Sequence, residues 1–296
     1  MSMNALFKSV KLLCVMLILL LVFVPAGLSA YAFKYADNGK PMRWYESCAY
    51  YTLHQDGAPG IDFLKVQETI RQAFDHWEDV PCSYFFFEET VPASCTELGL
   101  NDNVGNMNLL FFVEENWVID NEHSWDTIAL TTVSWNKNTG RIHDADIEFN
   151  SEFFHFEVDG VHISSGMMNT EKKYADLENT ATHEIGHFLG LQHSSDFNAT
   201  MYEETTQEKE TSKRSLEQDD MDGLCELYPI DQDPGICLLP FCGLDVNCTS
   251  TECGSREEET MTKTNDKGCS MVSIGASAGG WWRFLLNLGG LGSQIP

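Results

Sequence analysis

Five residues in one short stretch carry chemistry: His183, Glu184, His187, Gly190 and His193, within HEIGHFLGLQHSSDFNATMY at positions 183–202. On a helix, His183 and His187 are four residues apart and project from one face, so two imidazole nitrogens can meet one Zn²⁺. Gly190 follows three residues later, where a residue without a Cβ can turn the chain out of the helix and bring His193 round as a third nitrogen. Three protein ligands leave a fourth zinc position open to water, the catalytic rather than the structural pattern. Glu184 cannot share the histidine face as a ligand. It would lie beside the water, where a carboxylate serves as general base and returns the proton to a leaving amine. The chemistry implied is hydrolysis at a carbonyl by direct attack of water.

Those residues need a scaffold. Leu177–Leu191 reads as the helix that carries them. Ile61–Glu78 has apolar residues at helical spacing, with Asp62 at its start and Pro81 beyond its end. Ser215–Leu227 reads as a further helix with an acidic first turn of Glu217, Asp219 and Asp220. Strands are expected at Cys48–His54, Tyr84–Phe87, Leu109–Val113, Ile128–Trp135 and Asp146–Phe149, with a turn at Asn136–Gly140. The polar and aromatic stretch 151–175 fits no element by pattern.

The segment 183–202 resembles the metzincin signature, HExxHxxGxxH followed by a Met-turn. Within metzincins it is similar to the matrixin branch, because Ser194 directly follows the third histidine and the turn reads Ala199-Thr200-Met201-Tyr202. Leu216 to Leu224, with Leu227-Tyr228, resembles the closing helix of that branch. The resemblance covers about residues 40–229. It implies an α+β fold: a twisted mixed sheet of about five strands with three helices, and a zinc cleft between upper and lower subdomains. It also implies Met201 as an apolar floor under the zinc and Tyr202 in the wall of the pocket after the scissile bond. The antiparallel edge strand bordering the cleft matches Ile128–Ser134, and extended polypeptide would add to it as a strand. The implied protein is a zinc metalloendopeptidase. The alternatives are a surface zinc-binding protein with little or no turnover, and an astacin-like enzyme. An astacin-like enzyme places its tyrosine two residues after the methionine, whereas Tyr202 here is adjacent to Met201.

Secondary features are less specific. Asp144, Asp146, Glu148, Asn150 and Glu152 form a cluster of hard oxygen donors, and Asp144, Asp146 and Asn150 are candidate Ca²⁺ ligands. Matrixins use a histidine of the corresponding strand for a second, structural zinc. Glu148 stands where that histidine is expected, and His143, His155 and His162 have no strong ligand spacing of their own.

The chain of 296 residues has 45 Asp and Glu against 18 Lys and Arg, a net charge of −27. Such a surface repels phosphate backbones and argues against nucleic-acid binding. Lys8 and Lys11 precede the apolar run Leu12–Val24, and small residues follow at Ser29, Ala30 and Ala32. This reads as a secretory signal peptide over 1–30 and a secreted protein, with membrane attachment a lesser alternative. A matrixin-like domain is expected over 31–229 and a Cys-containing extension over 230–296. Only a short stretch separates the cleavage site from Lys40, so no propeptide with a zinc-capping cysteine is expected. An exported chain favours disulfides. Connectivity is not readable from spacing; Cys82 with Cys95, Cys48 with Cys225, and two bridges among Cys237, Cys242, Cys248 and Cys253 are the pairings considered, leaving Cys269 odd.

Overall fold

The computed structural model describes residues 29–100, 105–118, 124–159, 172–204, 211–239 and 243–249. Residues 1–28 of the expected signal peptide, His162, Cys242, Cys253 and Cys269 therefore lie outside the described residues. The strands, in chain order, are β1 Ala32–Phe33, β2 Cys48–Leu53, β3 Phe86–Glu89, β4 Leu109–Val113, β5 Ala129–Trp135, β6 Ile142–Asn150, β7 Phe154–Glu157, β8 Lys173–Asp176 and β9 Leu191–Gln192. The helices are α1 Phe63–Glu78, α2 Leu177–Phe188 and α3 Gln218–Leu227.

Five strands form one sheet in the order β3-β2-β4-β6-β5. The first four run parallel, and β5 lies antiparallel to β6 at the edge. This is the α+β architecture expected, with the expected antiparallel edge strand. The stretch that sequence pattern left unplaced supplies β7 and β8, a separate parallel pair leading into α2. Strand β6 starts earlier than its pattern suggests, because Ile142 and Asp144 pair with Trp135 and Ser134 of β5 across a register shift.

Asp62 caps α1 by accepting from the Leu64 amide. The helix buries Val66, Ile70, Ala73, Phe74 and Trp77 on one face. Phe74 stacks on Tyr51 of β2 with ring centroids 3.8 Å apart and meets Phe87 of β3 at 4.6 Å, which clamps α1 to the sheet. Helix α2 is buried around nearly its whole circumference. A helix so enclosed cannot send its terminal backbone groups to water, so other residues satisfy them. The Trp44 indole donates to the Phe188 carbonyl, and the Tyr228 hydroxyl donates to the Leu189 carbonyl. At the start of α2, Asp176 accepts from the Asn179 amide.

The disulfides correct the pairings considered above. Cys48 bonds Cys237, Cys82 bonds Cys225, and Cys95 bonds Cys248. The reason is the path of the chain after α3. Tyr84 donates to the Tyr228 carbonyl and Ile230 to the Cys82 carbonyl, which brings Cys82 to α3 rather than to Cys95. The segment then passes β2, where Ser47 donates to the Ile236 carbonyl, and reaches Ser94, which donates to Val246. Residues 230–239 and 243–248 are thus fastened to the same body as the sheet. No described helix is long and apolar enough to cross a membrane.

Candidate active site

Helix α2 ends at Phe188, and Gly190 adopts φ +102°, the left-handed region that favours glycine. A Cβ at Gly190 would collide with the Met42 carbonyl oxygen, so the turn also needs glycine for close approach. The chain reverses here into β9, and His193 swings back toward the helix face that carries His183 and His187. Strand β9 is held by β1, with Phe33 opposite Leu191 and the Lys34 amide donating to the Gly190 carbonyl.

The structure brings the three predicted histidines together. One nitrogen from each lies within 4.8 Å of the others, and no other group of three His, Cys, Asp or Glu donors converges this way among the described residues. The Nδ1 atom of His183 faces the Thr200 carbonyl at 2.6 Å, and that of His187 faces the Leu191 carbonyl at 2.9 Å. A carbonyl only accepts, so both Nδ1 atoms carry the proton and both Nε2 atoms present lone pairs. His187 Nε2 and His193 Nε2 stand 3.1 Å apart. Burial holds all three imidazoles below their ordinary pKa and hence neutral, with His187 pushed down to about 3. Three converging neutral nitrogens, two of them oriented from behind by carbonyls, fit Zn²⁺.

Glu184 points off the ligand face and is only 6% exposed. The Thr131 hydroxyl, from edge strand β5, lies 2.6 Å from its Oε2 and 3.1 Å from its backbone carbonyl. Burial pushes the Glu184 pKa up to about 7, while the Thr131 hydroxyl and the ammonium groups of Lys34 and Lys213 pull it down. A carboxylate near neutrality is suited to accept and return a proton.

Met201 lies beneath the site. A Cβ at Gly186, between the two helical histidines, would collide with its Sδ. Asp220 of α3 fixes this turn from below, accepting from the amides of Thr200 at 2.7 Å and Met201 at 2.9 Å. Its neighbour Asp219 accepts from the Ser194 hydroxyl and from the amides of Ala30 and Tyr31. Tyr202 packs edge-on against the exposed Phe197, and its carbonyl accepts from Lys213 Nζ at 2.5 Å.

The candidate calcium residues do not act alike. Asp144 and Asp146 are buried neighbours on one face of β6. Asp146 accepts from the Gly99 and Leu109 amides, and Asp144 Oδ1 accepts from the Asn106 side chain. Asp144 Oδ2 is buried with no hydrogen-bond partner among the described residues. Burial raises both pKa values, and the charge of Asp144 raises that of Asp146 further. Asn150 instead braces the chain after β6, donating to the Thr127 carbonyl and accepting from Phe153.

Sequence spacing alone did not point to Thr131, Lys34, Lys213, Trp44 or Tyr228. Thr131 had one available signal: a hydroxyl on the inward face of a strand whose neighbours on that face, Ala129 and Val133, are apolar.

A mixed sheet with an antiparallel edge over a histidine-bearing helix, a glycine exit and a methionine floor defines a metzincin-type metal site. The matrixin family model matches residues 43–229, and the chain belongs to the matrixins, a family of zinc metalloendopeptidases. Metalloendoproteinase 1 of Glycine max is 45% identical over 78 residues, covering 26% of this chain and 25% of that protein. Metalloendoproteinase 1-MMP of Arabidopsis thaliana is 28% identical over 196 residues, covering 64% and 45%. Human neutrophil collagenase is 47% identical over 66 residues, covering 22% and 14%. The chain thus spans less than half the length of each of these relatives.

Proposed function

We propose that the chain is a secreted zinc-dependent endopeptidase that cuts extended polypeptide. The observation that carries this reading is the convergence of three neutral histidine nitrogens beside a buried carboxylate that is not itself a ligand. His183, His187 and His193 would hold the zinc, which when bound supplies Lewis acidity toward water and the scissile carbonyl. Glu184 takes the proton of the attacking water and passes it to the leaving nitrogen. The Thr200 and Leu191 carbonyls keep His183 and His187 in the tautomer that presents Nε2. Among the described residues β5 pairs with β6 alone, and its other edge would take main-chain hydrogen bonds from an extended substrate. Tyr202 lines the pocket beyond the scissile bond, and Met201 floors the site. Asp144 and Asp146 are proposed to hold Ca²⁺, which would neutralise a buried carboxylate pair. The Asn150 side chain is occupied in bracing the backbone and adds little to that site.

The test is cleavage of an unstructured protein by the purified chain and by Glu184→Ala, with bound zinc counted in both. The expected result is cleavage by the parent and a loss of at least about 10²-fold in the variant, each holding one zinc. Zinc in both without cleavage by the parent would make this a binding protein instead.

A further inference from the structure

We infer that Thr131 is a positioning residue for the reaction, its hydroxyl fixing one oxygen of the Glu184 carboxylate so that the other is aimed at the attacking water. The inference rests on the reading of Glu184 as general base and adds a second residue to it.

A glutamate side chain has three rotatable bonds, and its carboxylate can turn away from a reaction centre at little cost unless something holds it. Glu184 projects from a helix whose neighbouring side chains, His183 and His187, are committed elsewhere. The only hydroxyl bonded to its carboxylate among the described residues comes from the strand across the cleft: Thr131 Oγ1, 2.6 Å from Oε2. Thr131 and Glu184 are each 6% exposed, so water does not readily substitute for this bond. Threonine is stiff at χ1, and residues 129, 131 and 133 share the inward face of β5, so the hydroxyl arrives pre-aimed. The same oxygen also lies 3.1 Å from the Glu184 backbone carbonyl, a competing acceptor. A hydroxyl has one proton, and the shorter contact to a charged acceptor is the stronger one. With Oε2 engaged, Oε1 is the oxygen left to accept from water. The same bond joins the strand that receives substrate to the helix that carries the base, so the two walls of the cleft are set relative to each other at the reacting group.

The experiment compares the intact chain with Thr131→Val, which keeps the shape and removes the hydroxyl, and Thr131→Ser, which keeps the hydroxyl. Steady-state kinetics on one peptide substrate, zinc content and melting temperature are measured for all three. The expectation is a fall in kcat of about 10- to 100-fold for Thr131→Val, as for loss of a hydrogen bond to a charged group. KM should change by less than about twofold, zinc should stay at one per chain, and Thr131→Ser should recover most of kcat. An unchanged kcat in Thr131→Val overturns the inference. So does a fall in kcat accompanied by zinc loss or not recovered by serine, since that marks a structural role. If the parent cleaves nothing, the general-base reading fails separately. Crystal structures of the parent and Thr131→Val then decide the positioning role: a Glu184 carboxylate displaced in the variant supports it, and an unmoved one overturns it.

Discussion

Gly186 sits between two zinc-ligand candidates on α2 and has no room for a side chain. Its missing Cβ is where the Met201 sulfur packs, and Met201 belongs to the turn whose Thr200 carbonyl orients His183. Gly186→Ala should therefore act on zinc binding as well as on stability. Adding a methyl group to a filled core typically costs about 1–3 kcal/mol, despite the better helix propensity of alanine. The expected outcome is a lower melting temperature and a zinc affinity reduced about 10-fold or more, measured by competition with a chromophoric chelator. An alanine variant that binds zinc as tightly as the parent would show that the turn absorbs the methyl without moving its carbonyl. At this scale the sequence was legible where function depends on neighbours along one helix. His183, Glu184 and His187 are fixed by helical periodicity, and Gly190 by the need for a sharp exit. Thr131 was given no role of its own and Asp219 and Asp220 only that of an acidic first turn, because the partners that place them at the site lie in other elements: Asp220 meets Thr200 and Met201 only after α3 folds under the turn.

Strand β6 raises a different question, because it buries two acids in succession on one face. The folded pKa of each is raised, so the native state binds protons more tightly than the unfolded chain. Their contribution to stability is full at low pH and is lost as pH climbs from the ordinary carboxylate range, about 4, toward about 8. In the presence of chelator, the melting temperature of the parent should fall across this window more than that of Asp144→Asn, which removes one charge. The difference between the two curves isolates the pair from the other carboxylates. Ca²⁺ should restore the parent at pH 8 and leave Asp144→Asn unmoved. Failure of Ca²⁺ to shift the parent would remove calcium from the site and leave a shared proton as its neutralising partner. At the scale of elements, the apolar strands and amphipathic helix α1 could be read from pattern. Strands β7 and β8 could not: their pairing is with each other, outside the main sheet, and 151–175 mixes polar and aromatic residues without a clean period. The early start of β6 was hidden because His143 and Asp144 look like turn residues until the loop over them supplies Asn106.

The whole molecule carries a net charge of −27, so self-repulsion works against compactness, and covalent links offset it. The three disulfides among the described residues join cysteines 189, 143 and 153 positions apart, loops long enough for each link to contribute about 2–5 kcal/mol. Their pairing was beyond sequence reasoning because it follows where α3 docks and how the segment after it returns, which no periodicity encodes. That path gives the bridges separate jobs. Cys48–Cys237 fastens the segment to the start of β2. Cys95–Cys248 fastens it to the chain that covers the acid pair: Ser94 bonds Val246, Asn106 bonds Gly243, and Gly99 and the Asn106 side chain bond Asp146 and Asp144. Removing either bridge by paired alanine substitution should lower stability by a similar amount in urea titrations. Only Cys95→Ala with Cys248→Ala should also flatten the pH dependence, because the loosened cover lets water reach the carboxylates and returns their pKa values toward the ordinary range. Cys48→Ala with Cys237→Ala should keep the full slope. Equal slopes in both double variants would mean that the hydrogen bonds from Gly99, Asn106 and Leu109 hold the cover without the bridge.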